Sequence, residues 1–361
     1  MNSTDRTSLE ARLHYPLGSA LPHAESVIDV ADGLRWVRMG LPFALNHINL
    51  WLLRDEVDGT EGWTVVDCCV DRPESRAQWE WIFEHALDDL PIVRVIVTHM
   101  HPDHIGLADW LCQRWTTPVH TCRLWMSATD HLAARTLSQQ APMDGRHGMA
   151  DFFASHGMTD PEQLNAIRGR ANYYPNLVPS VPRQYRRLQG GDRVRIGGRD
   201  WRCMAGYGHA PEHMALFDSE RHLLISGDMV LPRISTNVSV YESEPEGDPL
   251  HLFLTSLNAY THLPDDTVVL PSHGQPFVGL HERLKQLHDH HRDRLAELLQ
   301  ACQAQAMSAA DAVPVLFQRK LDVHQITFAM GEAIAHLNAL WYRGSLKRER
   351  DAAGVWRFRA V

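Results

Sequence analysis

Six cysteines occur in 361 residues, and none falls in a CxxC pair or any framework spacing. Cys68 and Cys69 are adjacent, and Cys112 sits inside a helical pattern. A disulfide scaffold and a cysteine-rich zinc module are thereby excluded, and reduced, mostly buried thiols are expected. No apolar run approaches the roughly 20 residues needed to cross a bilayer. No apolar signal-peptide core follows residues 1–6, so a cytoplasmic location is expected. Positive charge is also short: the net charge is −9 with histidines neutral. That argues against a dedicated nucleic-acid binder, whose affinity comes largely from phosphate contacts. A Gly-x-Ser-x-Gly nucleophile turn is missing too, which leaves a metal-activated water as the simplest nucleophile.

Histidine, in contrast, is abundant, with 23 residues. The informative ones follow the β-branched run 92–97, which reads as a buried strand. Directly after it come Thr98, His99, Met100, His101, Pro102, Asp103, His104, Ile105 and Gly106. His99 and His101 are two apart, so in extended chain their side chains project to one side. Asp103 and His104 follow in the turn and can aim at a second point nearby. Imidazole and carboxylate together suit zinc, iron or manganese. Three later positions add to the set. His209 follows Gly208, Asp228 ends the run 223–227 after Gly227, and His273 follows the run 268–272 and precedes Gly274. Glycine beside each fits a site where backbone must approach closely.

Taken in this order, the seven residues resemble the motif set of the metallo-β-lactamase-fold hydrolases, over roughly residues 27–280. His99, His101, Asp103 and His104 match the H-x-H-x-D-H motif of that family. The resemblance implies that His99, His101 and His209 hold one metal ion and that Asp103, His104 and His273 hold another. Asp228 would bridge them. Two divalent ions are the implied cofactors, zinc first, with iron or manganese as alternatives.

The implied fold is α/β, an αββα sandwich with the metals at the rim between two sheets. Residues 27–70 read as strands, with a tight hairpin at Asp32 and Gly33. A helix is predicted over 76–90, the metal-motif strand over 92–97, a helix over 105–115 and a strand over 119–122. Residues 123–182 break this alternation and read as a helical insertion that covers the metal rim as a lid. Its helices are expected at 124–137, 147–156 and 161–170, with 173–179 irregular because of Pro175 and Pro179. A long helix is expected over 279–305. Two helices, 310–317 and 324–342, and a hairpin turning at 351–354 then resemble a small winged-helix-like domain. The predicted division is thus 1–306 for the catalytic domain and 307–361 for that unit, which suits packing or homodimerisation better than nucleic acid.

The expected chemistry is hydrolysis by a hydroxide held between two metals, with Asp103 orienting it and shuttling its proton. Asp67, at a strand end, is a candidate acceptor for a ligand imidazole. His213, four residues after His209, is a candidate proton donor to substrate. Arg233, Ser235 and Asn237, with Tyr173 and Tyr174 from the insertion, are candidate substrate contacts. By the same resemblance, a filled bridging position at Asp228 points away from antibiotic hydrolysis and is usual in glyoxalase-II-like thioesterases, lactonases and nucleases. The short gap from His209 to His273 and the acidic charge then favour a thioester or lactone of a small metabolite. The basic glutathione-binding motif of glyoxalase II has no counterpart in the tail. Three other readings stay open: an endoribonuclease of the same family, a mononuclear-iron oxygenase, and a metal-stabilised binding module without activity.

Overall fold

The computed structural model describes residues 9–139, 148–170 and 172–361. The readings that fell on residues 1–6, on 140–147 within the insertion and on the predicted start of a helix at His147 lie outside that range. Seven strands form the first sheet, in the order β1 (Ile28–Ala31), β2 (Leu34–Gly40), β3 (His47–Val57), β4 (Thr60–Val66), β5 (Ile92–Ile96), β6 (Arg123–Met126) and β7 (Tyr185–Arg187). Its first four strands run antiparallel, and β4 to β7 run parallel. The second sheet contains β8 (Arg193–Ile196), β9 (Arg199–Gly206), β10 (His213–Asp218), β11 (Leu223–Gly227), β12 (Val268–Pro271) and β13 (Phe277–Val278) in spatial order from one edge to the other. Only β11 and β12 are parallel there.

Three apolar layers follow from this arrangement. Between the sheets, Trp36, Trp51, Val66 and Ile96 meet Trp201, Met214, Leu216 and Ile225. Outside the first sheet, helices Pro73–His85 and Ala108–Trp115 bury Trp79, Ile82 and Leu111. Outside the second, helices Pro249–Leu257 and Leu280–Ala304 bury Leu250, Phe253, Leu284 and Leu298. This is the αββα sandwich expected from the motifs. The outermost layer also takes in the C-terminal helices Ala309–Leu316 and Val323–Tyr342, through Val313, Ile334 and Leu337, and the hairpin of β14 (Leu346–Arg350) and β15 (Trp356–Ala360), through Phe358. The C-terminal segment therefore continues the core of the second sheet.

Two local expectations need correction. The strand predicted at 119–122 lies at Arg123–Met126 instead. Leu124 and Met126 alternate inward there, whereas Val119 is almost wholly exposed. Insertion into the sandwich thus begins only after β6, with helices Ala128–Ser138, Gly148–Ser155 and Pro161–Arg168. Residues 173–179 are not irregular throughout, since Tyr173–Leu177 is a short helix. Pro175 sits in its first turn, where no intrahelical N–H bond is lost.

Strand direction explains why the ligand-type residues converge. β4 and β5 are parallel, so Asp67 and Thr98 emerge side by side at their carboxyl ends. β11 and β12 are parallel as well, which brings Asp228 next to His273. The turn from β9 into β10 carries His209 to the same rim. Both sheets thus aim their loops at one line.

Candidate metal centre

Two groups of side chains meet at that rim. In the first, His99 Nε2 lies 2.9 Å from His101 Nδ1 and 3.2 Å from His209 Nε2, and His101 Nδ1 lies 3.1 Å from His209 Nε2. In the second, His273 Nε2 is 3.4 Å from both Asp103 Oδ2 and Asp228 Oδ1, while His104 Nε2 is 3.6 Å from the same two oxygens. Asp228 presents its other oxygen, Oδ2, to His209 Nε2 at 3.3 Å. Its carboxylate therefore faces both groups at once.

The donor set fits bound cations on three counts. Imidazole nitrogens with lone pairs turned toward one another cannot all satisfy each other, and a cation shared between them can. His104 Nε2 and Asp228 Oδ1 are buried without a hydrogen-bond partner. The outward nitrogens, meanwhile, are engaged. His104 Nδ1 donates to Asp67 Oδ2 at 2.8 Å, His209 Nδ1 to the Asn237 carbonyl at 2.7 Å and His273 Nδ1 to the His47 carbonyl at 2.7 Å. Each bond places the proton outside and leaves the Nε2 lone pair inside, which is the orientation ligation requires.

Electrostatics separates the two groups. Burial, reinforced by the neighbouring imidazoles, holds His99 well below its usual range, and burial together with His209 brings His101 down to about 3. Both are neutral lone-pair donors. In the second group burial also opposes charge on His273, yet Asp228 and Asp103 push it up to about 10. His104 rises by the same logic, against burial, through Asp103, Asp67 and Asp228. Burial alone would raise Asp103, but His104 and His273 hold it down to about 2. Without metal, protons stand where cations would, between carboxylates that need a counter-charge.

Behind the ligand-type residues lies a frame that positions them. Asp67 takes a positive φ of 62° and accepts from the Thr98 backbone N–H at 2.8 Å as well as from His104. His213 is fully buried, and its Nε2 accepts the Asp228 backbone N–H at 3.2 Å. The side chain expected to donate a proton to substrate thus sits behind Asp228, where it can orient the carboxylate. Gly227 makes this approach feasible: a Cβ there would lie 2.1 Å from His213 Nε2, and φ is +53°.

The candidate substrate contacts scatter. Tyr174 donates its phenol O–H to the Met100 carbonyl, which braces the metal loop from the insertion. Tyr173 lies beside it under the Arg170 guanidinium, 4.4 Å from the ring centre. The Asn237 amide donates to Glu332 Oε2 at 3.4 Å and accepts from the Ser239 hydroxyl. Arg233 turns to Glu10 at 3.5 Å, in a small crevice it shares with Ser235 and Arg283.

Asp130 and His47 escaped the sequence reading. Asp130 Oδ1 accepts from Met100 N–H at 2.8 Å and Oδ2 from Glu212 N–H at 2.6 Å, so one buried carboxylate ties the loop of His101 to the loop of His209. Burial pushes its pKa up to about 6. The Ser127-x-x-Asp130 spacing marks a helix start, and the Ser127 hydroxyl does accept the Asp130 N–H. Nothing in that pattern announces the second task. His47 accepts the Gly274 N–H on Nε2 at 2.8 Å while its carbonyl holds His273.

Comparison with known proteins agrees with this geometry. The family described as "Metallo-beta-lactamase superfamily" matches residues 45–273, and "Metallo-beta-lactamase-like, C-terminal domain" matches residues 295–361. The chain belongs to the metallo-β-lactamase superfamily. Within it, the chain is similar to a β-lactamase domain protein from Burkholderia ambifaria, at 52% identity and a TM-score of 0.93 over 98% of this chain and 100% of that one. A probable metallo-hydrolase, YqjP of Bacillus subtilis, is 24% identical over 84% of this chain and 91% of its own length. More distantly, acyl-coenzyme A thioesterase MBLAC2 of Bos taurus is 26% identical over 56% of this chain and 64% of its own length. The chain is thus a metallo-hydrolase of this superfamily. Among the described residues, no helix is long and apolar enough to cross a membrane.

Proposed function

We propose that the protein is a binuclear hydrolase that cleaves a small ester-like bond, a thioester or a lactone, with two divalent ions, zinc in the first instance. One observation carries the binuclear reading: the two oxygens of Asp228 face different donor groups, Oδ2 toward His209 and Oδ1 toward His104 and His273. His99, His101 and His209 would hold one ion, and Asp103, His104 and His273 the other. When bound, such a pair acidifies a water and polarises the substrate carbonyl oxygen.

The protein's own groups do the rest. Asp103 is ionised at neutral pH, so it can accept a hydrogen bond from the attacking water and hold its proton for the leaving group. His213 keeps the Asp228 carboxylate in place through the backbone N–H. Asp130 locks the two motif loops in register, so that water and substrate meet in a fixed geometry. The filled bridging position is compatible with the ester-like substrate class, and the distant relative named as an acyl-coenzyme A thioesterase, of the same chemical class, supports it. A catalytic unit over 1–306 and a C-terminal unit over 307–361 complete the proposal.

Zinc-loaded protein is expected to turn over at least one member of a panel of acyl-CoA, acyl-glutathione and lactone substrates, with turnover lost on chelation and regained on adding zinc. Cleavage of single-stranded RNA with no turnover on that panel would overturn the reading.

A further inference from the structure

The helix Val323–Tyr342 reaches the metal rim at two separate points. Near its start, His324 Nδ1 accepts from the Arg170 guanidinium at 2.6 Å, and its ring stacks on Phe43 with centres 5.6 Å apart. Phe43 precedes β3, whose first residue, His47, holds His273. His324 also meets Tyr173, at 5.9 Å between ring centres. Tyr173 belongs to the short helix that packs against Pro102–Ile105, and the Asp103 charge reaches its phenol. Two turns later, Glu332 binds Asn237, whose carbonyl fixes His209. The Val240 N–H secures the same turn by donating to the Gly331 carbonyl at 3.1 Å.

One stretch of helix thus runs from the Asp103 and His273 side of the centre to the His209 side. Residues 324 and 332 are about 12 Å apart along the axis, a span that crosses a pair of metal ions. Phe328 lies midway, four residues from each, and so on the same face. Its ring meets His324 edge-on at 4.9 Å, remains 38% exposed and belongs to none of the three apolar layers. Phe328 is thus left out of the core and faces solvent in part, on a helix held at residues 324 and 332 to residues that support the rim.

We infer that Phe328, joined through His324 to Tyr173 and Phe43, forms an apolar wall beside the metal rim that takes the acyl chain of the substrate. The inference rests on the ester-like reading above and adds a specificity to it: acyl groups with several methylenes are preferred over acetyl. Phe328 and Tyr173 are then specificity-determining residues supplied by the C-terminal helix and the insertion. Chain length is sensed because each methylene moved from water onto the rings adds affinity.

Binding of the free acids separates this from turnover. With zinc-loaded full-length protein, calorimetric titration of acetate, butyrate and octanoate should give an affinity that rises at least tenfold from acetate to octanoate. In Phe328→Ala that gain should shrink to less than threefold with acetate binding unchanged, and Tyr173→Ala should reduce it in the same sense. Phe328→Leu should keep most of it. Equal affinity for the three acids in the parent protein, or an undiminished gain in Phe328→Ala, would overturn the wall. Should the gain follow this pattern while no thioester or lactone is hydrolysed, the wall stands and the proposed reaction falls.

Discussion

The metal rim and the wall beside it are built on opposite terms. At the rim, His99, His104, His213 and His273 are at most 2% exposed, they sit at or beside the ends of hydrogen-bonded strands, and the outward nitrogens of His104 and His273 are already spent on fixed acceptors. At the wall, Phe43, Tyr173, His324 and Phe328 come from a loop, an insertion and a late helix, and they meet through ring contacts. A strand end backed by two sheets can hold a ligand atom within tenths of an ångström, as cation binding demands. Ring contacts between half-exposed side chains tolerate larger shifts, which suits a surface that must admit substrate and release product. Chemistry is thereby assigned to the rigid part and selectivity to the adaptable one.

Breaking the rigid part should have the largest effect and should not depend on substrate. Asp228→Ala removes a carboxylate that faces both donor groups and takes one counter-charge from each of His104 and His273. Activity on every substrate is expected to fall by about a thousandfold or more. Elemental analysis of the purified variant should show less than one full complement of metal. A fall confined to long-chain substrates would mean that the division between centre and wall is drawn in the wrong place.

A smaller effect should follow from loosening the frame while keeping every ligand. Asp67→Ala strips the nearer acceptor from His104 Nδ1, leaving the Thr98 hydroxyl at 3.2 Å, and the side-chain acceptor from the Thr98 N–H, so the imidazole is held less firmly. Loss of such an acceptor costs about 10- to 100-fold in metal affinity. Competition against a chromogenic chelator would measure it, and the weakening should fall on one ion of the pair. Equal weakening of both ions would show that the two groups are not held independently.

How much of this was legible in the sequence follows the same division. The strand-end His and Asp residues could be placed because apolar β-branched runs announce buried strands, at whose carboxyl ends these side chains converge. The sandwich and the positions of His99 to His273 come from that pattern. The frame was half legible: Asp67 stood at a strand end, but Asp130 and His47 act through backbone hydrogen bonds to residues far away in the chain, which leave no local pattern. The ion pair of Arg233 with Glu10 was illegible for a similar reason, since the two lie more than 200 positions apart. The start of the insertion was set too early because Leu124 and Met126 continue a helical periodicity into the helix Ala128–Ser138, and only pairing with β5 selects the strand. The wall was illegible in principle, because rings from three distant segments share no spacing rule.

Glu332 offers the smallest and sharpest probe, because it belongs to both parts: it sits on the helix of the wall and binds the residue that fixes His209. Burial pushes its carboxyl up to about 7, opposed by the Asn237 amide. The folded chain therefore retains a proton that the unfolded chain has released between its ordinary value of 4.5 and about 7. Across that window folding binds protons, so stability falls as pH rises. Glu332→Gln abolishes this dependence while keeping a hydrogen-bonding amide toward Asn237. Its melting temperature should match the parent at pH 5 and exceed it at pH 8, by on the order of 1 kcal/mol or about 2 °C. Metal affinity at the His209 group should change less than threefold, since Asn237 keeps its carbonyl on His209 whichever side chain stands at 332. A drop in that affinity comparable to Asp67→Ala would move Glu332 out of the wall and into the frame of the centre.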